Sequence, residues 1–171
     1  IVERILKEEE VPEDFKYQVI QESSMIADAV HASQTVGFWQ FKDYTAAEVG
    51  LRVDRQVDER MHIAASTRGA AKYLKANQER LNNWLHTLLA YNRGRGYVER
   101  NIDWKQHRDA HKMRIDGQTH WYIIHLLAHK LVFKDTIGKE RHPVLYLHEY
   151  NEAHCKTLSE IAQEYNVDQQ H

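Results

Sequence analysis

One glutamate stands where an acid catalyst would be useful. Glu22 lies in the segment VIQESSM, at the end of an amphipathic helical pattern and just before an irregular run. The negative end of a helix dipole disfavours a charged carboxylate there. Apolar neighbours would raise its pKa further by desolvation, and Phe38, Trp39 and Tyr91 are candidates for that lining. A rise of about two pH units corresponds to about 2.7 kcal/mol of differential interaction. A carboxyl group still protonated near neutral pH can donate to a leaving oxygen, as cleavage of a glycosidic bond requires. The plainer reading of Glu22 is a solvated helix-end residue.

Other groupings carry weaker chemistry. The segment AYNRG puts Tyr91 and Asn92 at a helix exit, just before Gly94. Asparagine offers donors and acceptors, and tyrosine offers a ring face and a hydroxyl, a set suited to sugars. The same pair serves equally well for capping and packing. His125 and His129 are spaced i, i+4, as are His107 and His111, a geometry that can hold zinc. No HExxH motif accompanies them and the surroundings of His125 read as core, so no metal and no cofactor are expected. Trp121 and Tyr122 also read as core. The RGRG run lies in a chain of net charge −2 without a basic stripe, which argues against nucleic acid.

The elements that must position these groups are helical. With 171 residues, two prolines, seven glycines and little β-branched alternation, the chain reads as one all-α domain with a small appendage. Pro12 suits the first position of a helix running to about Ser23, with Phe15, Val19 and Ile20 as its apolar stripe. Residues 27–41 read as an irregular loop. A short helix over 45–49 ends at Gly50, and a long one over 66–81 buries Ala70, Tyr73, Leu74 and Leu81. Trp84, Leu85, Leu88 and Leu89 mark the next helix, with Gly94 as its C-terminal cap. A charged helix over 97–110 follows, then the most apolar one over 119–133, expected as the central or closing helix. Residues 142–150 look extended, and KTLSEIAQEYNV looks like a short amphipathic helix. No window approaches the 18 apolar residues of a spanning segment, and no signal peptide is visible. Cys155 is the single cysteine, which excludes an intrachain disulfide.

The run ESSMIADAVHASQTVGFWQF, residues 22–41, resembles the signature of lytic transglycosylases with a goose-type lysozyme-like (SLT) domain, especially the membrane-bound type D branch. Glu22 and Ser23 match its "ES", Ala29 and Val30 its loop, and Gly37, Phe38, Trp39, Gln40 and Phe41 its Gly-Leu-Trp-Gln-Phe segment. AYNRG matches the Ala-Tyr-Asn-x-Gly motif, Trp84 the tryptophan before it, and QTHWY the Glu-Thr-x-x-Tyr motif of the last helix. The resemblance covers residues 10–133. It implies Glu22 as the catalytic acid, with Ser23, Gly37, Phe38, Trp39, Gln40, Tyr91, Asn92 and Tyr122 binding substrate. Gln40 would bond either substrate or loop, and Ser23 would orient Glu22 or substrate.

The activity so implied is cleavage of the β-1,4 bond between N-acetylmuramic acid and N-acetylglucosamine in peptidoglycan, forming a 1,6-anhydro ring. A weak wall-binding or assembly module and a true muramidase hydrolase are the alternatives. Hydrolysis usually needs a second carboxylate, and Asp28, Asp43 and Asp54 are the nearest in sequence. Ala27, His31, Gln34, Asp43 and Gln118 depart from the family pattern but leave the acid in place. The expected setting is the periplasm or outer-membrane-associated envelope. The expected partner is the glycan strand, and no protein partner is indicated. Because the chain starts at Ile1, a removed leader is expected. The expected layout is a catalytic domain over 1–135 and an extension over 136–171. In the extension, KTLSEIAQEYNV resembles the first helix of a LysM module; a partial module is expected.

Overall fold

The computed structural model describes residues 1–108, 112–136 and 157–164. The chain forms two compact units, Ile1–Lys139 and Glu140–His171. The first contains seven α-helices among its described residues: α1 (Val2–Glu8), α2 (Lys16–Ser23), α3 (Asp43–Glu48), α4 (Ile63–Leu81), α5 (Trp84–Arg93), α6 (Arg95–Asn101) and α7 (Trp121–Phe133). No β-strand occurs among the described residues, only isolated bridges such as Val36 with Phe41. The all-α expectation therefore holds. In the second unit, α8 (Leu158–Glu164) falls within the expected amphipathic helix. Its start is a capping box, in which Thr157 Oγ1 accepts from the Glu160 amide and Glu160 accepts from the Thr157 amide. The expected extended run over 142–150, together with His111 and Cys155, lies outside the described residues.

α4 is the spine. Ala70, Ala71, Leu74 and Leu81 are fully buried along it, and α1 and α5 pack on that face. Each leucine so buried contributes about 1.5–3 kcal/mol. α4 starts three residues before the expected Ser66, because His62 rather than a serine is its cap: His62 Nδ1 accepts from the Ala65 amide at 3.1 Å. α1 was not expected from the sequence. Its buried set is only Val2, Ile5 and Leu6, among residues dominated by charge. Pro12 is extended at ψ 129 and precedes a 3-10 turn (Glu13–Phe15), so α2 opens at Lys16, later than expected. α6 stops at Asn101, well short of residue 110, where Ile102 turns extended. α7 is not a central helix: Tyr122, Ile123 and Leu126 are its buried residues, while Leu131 and Val132 face solvent. Its inner face packs on α2, and that pairing brings residue 122 to residue 22.

Candidate active site

Glu22 sits in the last turn of α2, which ends at Ser24 in the left-handed conformation (φ 52). It lines a cavity of about 760 Å³. Tyr122, one hundred residues further on, donates its hydroxyl hydrogen to Glu22 Oε1. Burial pushes the Glu22 carboxyl up from 4.5 to about 7, against the Tyr122 hydrogen bond and the nearby Gln18 amide, which favour the charged form. Of the two expected causes of the rise, desolvation is the one present, and it leads. Tyr122 and Tyr91 are themselves held far above ordinary phenols by burial first and by the nearby carboxylate second. Both stay neutral donors.

The loop over 24–41 forms a second wall, and its residues divide sharply by role. Gln40 lines the cavity, but its amide is spent on the loop: Nε2 donates to the Ala29 and Gly37 carbonyls, and Oε1 accepts from Thr35. Ser23, Gly37, Phe38 and Trp39 do not line the cavity, contrary to the substrate-contact expectation. Trp39 is 0% exposed, and its indole N–H donates to Thr67 Oγ1 on α4 at 2.9 Å. Ser23 Oγ donates to the Phe38 carbonyl at 3.0 Å, tying the helix end to the loop. Phe38 packs against the core from a partly buried position. Gly37 has φ +83, and a Cβ there would fall 2.0 Å from the Arg60 carbonyl oxygen. These four fasten the wall from behind. Arg60, buried and paired with Asp58 at 2.6 Å, adds a hydrogen bond to the Phe41 carbonyl.

Tyr91 and Asn92 answer to two different needs. Tyr91 donates to the Trp39 carbonyl at 2.8 Å and packs edge-on against Tyr73, so it pins loop to α5 while lining the cavity. Asn92 is exposed on the cavity wall. Gly94, at φ +81, ends α5 as expected. Several residues not expected there also line the cavity. Trp121, expected in the core, is 51% exposed. His125 and His129 line it as well, rather than core. Tyr44 stands on the rim, 60% exposed. Lys42 and Arg93 supply positive charge, and among the described residues Glu22 is the sole carboxylate on the wall. Asp28, Asp43 and Asp54 are not on it. Gln118 is exposed in the turn before α7 and is likewise off the wall. Exposed rings beside amides and cations suit a flat, hydroxyl-rich, anionic ligand.

Comparison with known proteins places these features in context. Residues 1–114 match the family described as "Transglycosylase SLT domain". The membrane-bound lytic murein transglycosylase D of Escherichia coli K12 is 27% identical over 136 residues, covering 77% of this chain and 30% of that protein. The protein of the same name from E. coli O6:H1 matches with the same figures. The chain thus spans about a third of the length of the curated relatives it matches. Among solved structures, an inactive glutamate-to-glutamine mutant of lytic transglycosylase Slt from Pseudomonas aeruginosa superposes with a TM-score of 0.59 at 18% identity. That match covers 78% of this chain and 23% of the other, and indicates a shared fold.

Proposed function

The chain belongs to the transglycosylase SLT domain family, and from that membership we propose that it is a lytic transglycosylase acting on peptidoglycan glycan strands, with Glu22 as its single acid and base. The observation that carries the reading is a carboxyl group with its pKa near 7, unaccompanied by a second carboxylate on the described wall of a sugar-sized cavity. Near neutral pH about half of Glu22 is protonated and can donate to the oxygen linking N-acetylmuramic acid to N-acetylglucosamine. The resulting carboxylate takes the proton of the muramoyl C6 hydroxyl as that oxygen closes on C1. The substrate's N-acetyl oxygen assists where an inverting or retaining hydrolase would use a second carboxylate. Tyr122 holds the carboxyl in place through both steps. Gln40 and Tyr91 hold the wall, while Asn92, Trp121 and Tyr44 meet the sugars.

The names of the curated relatives, which are membrane-bound murein transglycosylases, support this substrate and a location in the cell envelope. Among the described residues, no helix is long and apolar enough to cross a membrane. The inactive mutant of the Slt relative carries glutamine in place of a glutamate, in line with a glutamate acid here.

Purified sacculi incubated with the protein, followed by mass spectrometry of the released material, test the reading. Anhydro-muropeptides are expected. Reducing-end products would make it a hydrolase, and no soluble product would make it a binding module. General-acid catalysis contributes about 10²–10⁴-fold, so Glu22→Gln is expected to lower release by at least about a hundredfold.

A further inference from the structure

Gln18 lies one turn before Glu22 on α2, is 0% exposed, and is not on the cavity wall. A glutamine buried to that degree needs partners for both ends of its amide. Its Nε2 donates to the Tyr122 hydroxyl oxygen at 3.1 Å. Its Oε1 has none, although it is shielded from water. Gln21, on the next turn, grips the same residue from another side, donating to the Tyr122 backbone carbonyl at 3.1 Å. α2 therefore holds Tyr122 at both its hydroxyl and its main chain.

The direction of these bonds matters. A phenol oxygen that accepts from an amide has its own hydrogen free to point elsewhere, and in this cluster it points to Glu22 Oε1. With leucine or methionine at position 18, the Tyr122 hydroxyl would lose the donor that sets its orientation. Losing that donor would weaken the bond by which the hydroxyl stabilises the carboxylate form of Glu22.

We propose that Gln18 is a positioning residue for Glu22: its buried amide aims the Tyr122 hydroxyl at the carboxyl. It does not touch substrate. The inference deepens the proposed transglycosylase reading and rests on it for its functional meaning. Its test reads a titration rather than glycan release, so the two fail separately.

The experiment is a pH titration of the folded protein with ¹³C-labelled glutamate, with the Glu22 resonance assigned by its loss in Glu22→Gln. In the unaltered protein the Gln18 side-chain amide signals are expected to shift with the same midpoint as Glu22, near 7. They stay flat in Glu22→Gln. In Gln18→Met, with native circular dichroism, the Glu22 midpoint moves upward by on the order of one pH unit. Within a Tyr122→Phe background the same substitution adds little, because its partner is gone. Gln18 amide signals that ignore the Glu22 titration would overturn the proposal without any variant having to fold. An unchanged Glu22 midpoint in a folded Gln18→Met protein would overturn it too.

Discussion

The raised pKa of Glu22 has a consequence for stability that is independent of any substrate. In the unfolded chain the carboxyl titrates near 4.5, and in the folded protein near 7. Below 4.5 it is protonated in both states and contributes nothing that depends on pH. Between 4.5 and 7 the folded state keeps a proton that the unfolded chain has lost, so the free energy of unfolding falls as pH rises. Above about 7 the fall levels off. At about 1.4 kcal/mol per pH unit the full span is about 3.4 kcal/mol before any allowance for solvent. Because Glu22 opens partly to the cavity, about 2–3 kcal/mol is the working figure. Glu22→Gln removes the cost: its carboxamide oxygen still accepts from Tyr122 and carries no charge to bury. The variant should match the native protein near pH 4.5 and exceed it by about 2–3 kcal/mol at pH 8, while losing its chemistry. That is a large fraction of a typical total of 5–15 kcal/mol. Urea denaturation at pH 4.5, 6 and 8, followed by tryptophan fluorescence, measures the difference directly. A difference that stays constant with pH, or grows toward acid, refutes the reasoning that burial holds this proton.

Three further outcomes concern the walls. Gly37→Ala places a Cβ 2.0 Å from the Arg60 carbonyl oxygen at a positive φ, so the loop must move. A loss of at least about 2 kcal/mol in urea denaturation is expected, with activity falling alongside. Tyr91→Phe leaves the Trp39 carbonyl without its donor, costing about 1–3 kcal/mol by the same assay. Trp121→Ala keeps the fold and the Glu22 titration, since its ring is half exposed. It should weaken binding of glycan fragments by roughly fivefold, from the loss of about 1 kcal/mol of ring contact measured calorimetrically.

Much of this molecule was legible in its residues, and the exceptions share a cause. The periodic apolar positions of α4 and α5 gave both helices, because packing against α4 is what holds them. Glu22, Tyr91 and Asn92 were findable because short segments put them at helix ends, where side chains reach into clefts. The segment GFWQF was harder. Five consecutive loop residues share no periodicity, so neighbours in sequence point in opposite directions. Gln40 faces the cavity while Trp39 beside it reaches Thr67 in the core. Gln18 was invisible for the opposite reason. A glutamine in a helix reads as solvent-facing, and only the approach of Tyr122 from α7 turns that position inward. Trp121 and the two histidines of α7 misled in a third way, since an apolar run does not say which of its faces finds a partner. α1 is too short, and too heavily charged, for its three buried residues to stand out.

The most direct measurement is the pH dependence of kcat/KM for glycan-strand release, which reports the titrating groups of the free enzyme. With Glu22 as the acid and no second carboxylate required, the rate constant is expected to hold steady on the acid side. It should fall about tenfold per pH unit above a midpoint near 7. A profile that stays level through pH 9, or a descent below pH 6 of the kind a second catalytic carboxylate imposes, would contradict it.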